Sequence, residues 1–186
     1  MHRVLIRPAT YQDCKAAVRA AFEAFPREVR GRKVLVKPNV LRAGAPEEAI
    51  TTHPAILRAV VECLLDLGCA EITVGDNPGL MGYGANERCF EVCGLTEASL
   101  GHYRNIGLDS VELPFTASGT TLGDPDLMPK VNVSRAVMES DLFISLPKFK
   151  THGLTVITGG IKNSYGILPG AQKAHLHKLS GTPVRF

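Results

Sequence analysis

The chain has 186 residues, enough for one substantial domain, and its 45% hydrophobic and 21% charged residues are ordinary for a globular protein. No apolar run approaches the roughly 20 residues needed to cross a bilayer, and the opening MHRVLIRPATYQD has no signal-peptide core, so no membrane partner and a cytoplasmic location are expected. A net charge of only +3, the absence of Trp and the lack of an Arg-rich helix argue against nucleic-acid binding.

In chain order, Arg3 to Arg7 (RVLIR) reads as a short strand. Thr10 is placed to cap a helix running to about Phe25, with Ala16, Ala17, Val18, Ala20, Ala21 and Phe22 on its apolar face. Lys33 to Lys37 (KVLVK) is a second strand, ended by Pro38 and Asn39. After a loop, Thr52 is expected to cap a helix from about Pro54 to Leu67, stopped by Gly68. Glu71 to Val74 is a strand running into GDNPGLMGYG, and a helix follows at about 86–92. The stretch 94–109 reads as a second helical piece. Ser110 to Leu113 and Val131 to Val133 read as strands, with TASGTTLGDPDLMP between them as loop or hairpin. A short helix at Arg135 to Glu139 precedes Leu142 to Leu146 (LFISL), whose near-continuous apolar run suits a central parallel strand.

Strands alternating with helices predict a single α/β domain over 1–186, a mostly parallel sheet with helices on both faces. The end, SGTPVRF, is neither a cap nor a terminal helix, so the chain is expected to continue in a longer protein and to be truncated at its C-terminus. The five cysteines are odd in number and lack a secretory context, which excludes a disulfide framework. Cys89 and Cys93 are too few for a zinc or iron–sulfur site, so they are expected to be ordinary buried thiols.

Charge is unevenly placed. Leu142 to Phe186 contains no Asp or Glu but holds Lys148, Lys150, Lys162, Lys173, Lys178 and Arg185. Cations set among Gly, Pro, Ser and Thr without neutralising acids are what an anion-binding or catalytic surface requires. The site is therefore expected in the segment 147–178.

Three polar loops follow strands: Lys37-Pro38-Asn39, Gly75-Asp76-Asn77-Pro78-Gly79 and PKFKTH at 147–152. Ligands in open α/β sheets sit at the carboxyl ends of strands, so the three loops are expected to converge on one crevice. Asp76, Asn77 and Gly79 suit a phosphate cradle or a metal or base support, although an Asx turn explains them too. Lys148, Lys150 and His152 alternate, and on an extended segment they share a face. Gly159 and Gly160 admit close backbone approach, with Lys162 and Asn163 following; Lys162 is a candidate charge clamp or nucleophile. His175 and His177 would share a face on a strand and chelate a metal, but not on a helix. With His152 and His53 they supply acid–base chemistry near neutral pH. The candidate ligand-binding set is Lys37, Asn39, Asp76, Asn77, Gly79, Lys148, Lys150, Gly159, Gly160, Asn163 and Lys173. His152 and Lys162 are the candidate catalytic residues, and His175 and His177 the candidate metal ligands.

In VKPNVL at 36–41, TTHP at 51–54, ITVGDNPG at 72–79, SDLFISLPKFKTHGLTVITGGIKNSYGILPG at 140–170 and KAHLH at 173–177, the chain resembles the DUF362 family. The resemblance implies a fold and a site but no established reaction. It also implies a link to ferredoxin-type iron–sulfur domains, to which many members are joined. The cysteine-rich cluster motif of those relatives is absent here, so no iron–sulfur cluster is expected within this chain. The order His152, Lys162, ILPG, His177 is similar to that of the nickel-pincer lactate racemase family, which would make His152 a base, Lys162 a cofactor tether and His177 a nickel ligand. The insertion NSYG and the spacing to His177 depart from that pattern.

The leading expectation is a redox-associated enzyme domain, or simply a binder, taking a small anionic or phosphate-bearing ligand with a divalent metal as candidate cofactor. The alternatives are a non-catalytic binding or maturation module whose basic tail docks an acidic iron–sulfur partner of the ferredoxin type, and a metal-dependent enzyme distantly related to nickel-pincer racemases. Oligomerisation is compatible with each.

Overall fold

The computed structural model describes residues 3–79, 82–114, 130–153, 155–170 and 172–175. It is an α/β protein built on a three-stranded parallel sheet of order β2-β1-β5, with β1 Lys33–Pro38, β2 Glu71–Val74 and β5 Leu142–Leu146. β1 is central, pairing Val34 with Ile72 on one side and with Leu142 on the other. Five of its six residues are buried, as a strand flanked on both edges and covered on both faces must be. Asp141 fastens the entry of β5: its carboxylate accepts from the Lys33 amide at 2.8 Å and its own amide donates to the Lys33 carbonyl at 2.9 Å. Two antiparallel pairs complete the strands, β3 Ser110–Pro114 with β4 Lys130–Ser134, and β6 Lys150–His152 with β7 Val156–Thr158.

The strand period divides the sheet. Val34, Val36, Ile72, Val74 and partly buried Ile144 face one layer, made by α1 Cys14–Ala24, α2 Pro54–Asp66, α3 Asn86–Val92 and α4 Leu95–Ala98. In that layer α2 presents Leu57, Val60, Val61 and Leu64, all buried, and α1 adds Val18 and Phe22 one turn apart. At about 1.5–3 kcal/mol for each fully buried large aliphatic chain, this layer is the main source of stability. Leu35, Lys37, Phe143 and Ser145 point to the other side, where α5 Arg135–Met138 and α6 Gly160–Ser164 lie.

Most expected elements are present within a residue or two. Four features differ. Thr10 does not cap α1: the helix starts at Cys14 after Asp13, and the Thr10 amide and hydroxyl donate to the Asp13 carboxylate at 2.6 and 2.9 Å. Residues 3–7 form no strand, and Val4 and Ile6 are 81% and 87% exposed. Alternation makes a strand only beside an edge to pair with, and none of the described strands offers one there. The stretch 94–109 holds only the four-residue α4; beyond it the chain extends beside β2, with the Val74 amide donating to His102 and the Arg104 amide to Val74 at 2.8 and 2.9 Å. The α2 cap is His53, not Thr52: the His53 Nδ1 accepts from the Ala55 amide at 3.2 Å. Thr52 instead accepts from the Asn39 amide at 2.7 Å and donates to the Leu146 carbonyl, tying α2 to the ends of β1 and β5. The 115–129 loop falls outside the described residues.

His53 caps α2 only while Nδ1 is unprotonated. Its ring stacks on Tyr11 at 3.6 Å, and burial first, then the Lys148 charge, hold its pKa below the ordinary histidine value. A base with a depressed folded pKa binds fewer protons folded than unfolded, so stability is full above the unfolded pKa of about 6.5 and declines as pH falls below it. Urea midpoints measured from pH 7.5 to 5 are expected to fall in the wild type and to fall less in His53→Asn, which caps without titrating. Equal slopes would rule out His53 as a source.

Candidate functional site

Strand order 2-1-5 makes the chain leave β1 on one side and return on the other. Such a switch opens a crevice at the carboxyl ends of the two strands that diverge, here β1 and β5. The residues that meet there come from four segments. Lys37 closes β1, Asp76 and Asn77 follow β2, Ser145 lies on β5, and α6 brings Asn163.

At the centre, the Lys37 ammonium lies 2.6 Å from Asp76 Oδ1, with side chains only 1% and 2% exposed. The same ammonium donates to Asn163 Oδ1 at 3.0 Å and to the Pro38 carbonyl at 3.2 Å. The other Asp76 oxygen accepts from the Val40 amide at 2.7 Å. Burial pushes the Lys37 pKa down and the Asp76 pKa up, and their mutual attraction opposes both shifts. Desolvating two charges costs several kcal/mol each, a cost recovered only where geometry and surrounding hydrogen bonds are good. Hydrogen bonds surround the ammonium and one carboxylate oxygen, while Asp76 Oδ1 has the 2.6 Å charge contact to Lys37 but no hydrogen bond of good geometry among the described residues.

Asn163 knits the strand ends together. Its amide donates to the Lys37 carbonyl at 3.2 Å and to Ser145 Oγ at 2.9 Å. Asn77 performs a parallel task, donating to Ser134 Oγ and to the Gly166 carbonyl, both at 2.9 Å. Gly166 is the tight point. A Cβ there would stand 2.2 Å from Asp76 Oδ1 and 2.6 Å from Lys37 Nζ. Sequence reading did not single out Gly166, Ser134 or Ser145. The signal for Gly166 was present as a third glycine in GGIKNSYG, but glycine spacing does not say which one faces a buried pair.

Three more lysines surround this pair. Lys173 is 4% exposed and donates to the carbonyls of Asn77 and Pro78 at 2.7 and 2.6 Å. Burial, with added repulsion from Lys37 and Lys162 and against the pull of Asp76, brings its pKa down to about 8. Lys150 donates to the Ile50 carbonyl; burial, then Lys162 and Lys148, bring it to about 8 as well. Lys162 on α6 is half-buried, its pKa lowered by burial and then by Lys37. It has no hydrogen bond or ion pair among the described residues, and its ammonium lies 5.5 Å from the Tyr165 ring centroid. Four lysines therefore share an interior with one carboxylate.

The expected residues divide accordingly. Lys37, Asp76, Asn77, Lys150, Lys162, Asn163 and Lys173 come together. Lys150 and His152 share a face of β6 as the alternation requires, opposite Thr158 and Val156. Lys148 precedes the strand and departs: its ammonium donates to Tyr11 Oη at 3.1 Å. It lines a separate cleft of about 350 Å³ with His53, Thr52 and Ser145. The Asn39 backbone pairs with Thr52. Gly79 packs on Leu41, where a Cβ would meet the Leu41 carbonyl oxygen at 2.9 Å, so its close approach is to the chain itself. Gly160 opens on space free of other atoms within 4 Å of a would-be Cβ. His152 Nδ1 accepts from the Thr155 amide at 3.1 Å. His175 is exposed on the helical turn 172–175, and His177 lies outside the described residues. No group of three or more His, Cys, Asp or Glu side chains among the described residues is placed to hold a metal.

A second cavity, about 180 Å³, lies over Leu35 and Thr73 beside α5. Its charges are already matched, Arg135 with Asp109 at 2.7 Å and Arg104 with Glu71 at 3.4 Å. Among the described residues, the excess of lysines over carboxylates is at the strand ends.

The family model described as "Domain of unknown function (DUF362)" matches residues 34–183, which span every element of this crevice. The chain belongs to the DUF362 family. It is 29% identical over 153 residues to the thylakoid-associated protein sll1697 of Synechocystis sp. (strain ATCC 27184 / PCC 6803 / Kazusa), an alignment covering 81% of this chain and 44% of that relative. The chain thus spans less than half the length of the curated relative it matches. No solved structure matches it significantly. No helix among the described residues is long and apolar enough to cross a membrane.

Asp76→Asn leaves a buried ammonium facing a neutral amide and is expected to lose about 3–5 kcal/mol in urea unfolding. The double variant Lys37→Met/Asp76→Leu removes both charges and should lose less than Asp76→Asn alone. A double variant that is the less stable of the two would refute the account of the pair. Gly166→Ala, which intrudes on the same atoms, is expected to cost about 1–3 kcal/mol by the same measurement.

Proposed function

We propose that this DUF362 chain binds a small anionic or phosphate-bearing ligand in the crevice at the ends of β1 and β5. The observation that carries the reading is an imbalance of charge among the described residues: buried Lys37 and Lys173 and half-buried Lys150 and Lys162 gather around Asp76. Like charges gathered in a low dielectric repel, and an anion is the simplest compensation. Lys37 and Asp76 set the frame, Lys173 holds the 77–78 loop, and Lys150 and Lys162 face the ligand. His152, on the Lys150 face of β6, is the acid–base group if the site is catalytic, as in a redox-associated enzyme.

Among the described residues, part of the basic tail is turned inward rather than presented as an outward docking face for an acidic ferredoxin-type partner; Lys178 and Arg185 lie outside those residues. Lys173 is buried, and Lys150 and Lys162 are half-buried. The outer face of the β6–β7 hairpin carries Thr151 and Ile157, with Phe149 just before it, and is not cationic. A metal-dependent chemistry would rest on His177, outside the described residues.

Calorimetric titration with inorganic phosphate and pyrophosphate is expected to give one site per chain, weakened about tenfold to a hundredfold by Lys162→Ala, since hydrogen bonds to charged groups are worth about 1.5–3 kcal/mol. Sulfate keeps a constant charge across the neutral range. Its affinity is expected to fall as pH rises through about 8, where Lys150 and Lys173 lose their protons. Unchanged affinity in Lys162→Ala would overturn the reading.

A further inference from the structure

Among the four lysines of the crevice, three ammoniums are held by oxygen. Lys37 has Asp76, Pro38 and Asn163; Lys150 has Ile50; Lys173 has Asn77 and Pro78. A lysine bound in this way is pinned to its oxygen partner and is not positioned to approach a carbonyl carbon. Lys162 differs. It is half-buried, Lys37 and the Asp76 carboxylate act on its charge in opposite senses, the Tyr165 ring lies beside it, and no oxygen among the described residues accepts a hydrogen bond from it.

We propose that Lys162 is a nucleophilic amine that forms an imine with the carbonyl carbon of an aldehyde or ketone carrying an anionic group. The proposal rests on the anion-binding reading and names its substrate class: the neighbouring Lys150 takes the anionic group, and Lys162 meets the carbonyl. The neutral Lys162 nitrogen adds its lone pair to the carbonyl carbon, and the carbonyl oxygen takes up a proton to give a carbinolamine. The nitrogen then gives up a proton, the hydroxyl leaves as water, and a C=N bond replaces C=O. Amine plus carbonyl yields imine plus one water, with no external oxidant or reductant. Burial and neighbouring positive charge favour the neutral amine that this addition requires. Gly160, two residues earlier, leaves open space beside the helix start. The Tyr165 ring gives the amine an apolar neighbour that does not compete for its lone pair.

The test uses pyridoxal 5′-phosphate as an aldehyde bearing a phosphate, followed by borohydride, which reduces the imine to a stable secondary amine read by peptide mass mapping. The expected result is one adduct per chain, on Lys162, suppressed by inorganic phosphate and much slower with pyridoxal, which lacks the phosphate. Lys162→Arg removes the nucleophile and is expected to lose the adduct, and because Lys162 also faces the ligand its phosphate affinity should fall, though less than in Lys162→Ala, which loses the cation as well. The thermal unfolding of Lys162→Arg, compared with wild type, separates loss of reactivity from loss of fold. Adducts scattered over surface lysines, or unaffected by phosphate, in a protein that still binds phosphate would overturn the imine and leave the anion site standing. Absence of both phosphate binding and the adduct would overturn the two together.

Discussion

The contact on which the rest depends is the buried pair of Lys37 and Asp76. It joins the ends of β1 and β2, and Asn163 extends it through Ser145 to the end of β5, so all three strands of the parallel sheet are tied at one edge. A purely apolar contact would hold the strands as well, since buried ion pairs are often no more stabilising than hydrophobic groups of the same volume. What a polar network adds is registration. Asn163 satisfies Lys37 only if α6 stands at one height above the sheet, and Gly166 must then come within van der Waals contact of the pair.

That registration determines what the other lysines can do. Lys173 anchors the chain over the 77–78 loop, and Lys150 is drawn to the Ile50 carbonyl. Both serve as lining whose charge is held in place by carbonyl oxygens. Backbone carbonyls stabilise an ammonium by their dipoles but do not cancel its charge, so among the described residues the crevice holds more lysines than carboxylates. The absence of acids from Leu142 to Phe186 is the same fact seen along the chain. Surface segments usually mix signs; a segment that folds inward onto one carboxylate supplied by another loop does not need to.

Much of this was legible in the sequence. The apolar run of β1, the capped and Gly-stopped α2, and the three strand-end loops each carry local signals, and the convergence of Lys37 with Asp76 followed from strand-end geometry, whereas Asn163 arrives on α6 from the segment after Gly159 and Gly160. The failures have physical causes. RVLIR alternates correctly yet has no edge to join, because a strand is defined by a partner the pattern does not name. Thr52 looks like a cap by composition, but its hydroxyl is taken by Asn39 and Leu146, and the cap passes to His53. Lys148 alternates with Lys150 in sequence, but β6 begins only at Lys150, and the face that alternation predicts does not extend back to Lys148. Gly166 could not be chosen among the glycines without knowing which one lies over a charge.

The β6–β7 hairpin shows how a short element can serve a site without belonging to a core. Its inward face places Lys150 beside buried Thr158, while Ile157 on the outer face is half exposed. The turn is bought with strain: the Ile157 amide donates to the Thr155 carbonyl at 2.7 Å, closing a three-residue turn around Val156 at φ +66°. A β-branched residue there is a backbone outlier, and such residues persist only where the surroundings over-determine them. The surroundings here are the Thr155 amide bonded to His152 on one flank and the paired Lys150 and Thr158 on the other. The hairpin thus carries a strained position at the start of β7 while it keeps Lys150 and His152 on one face of β6, with Lys150 beside buried Thr158.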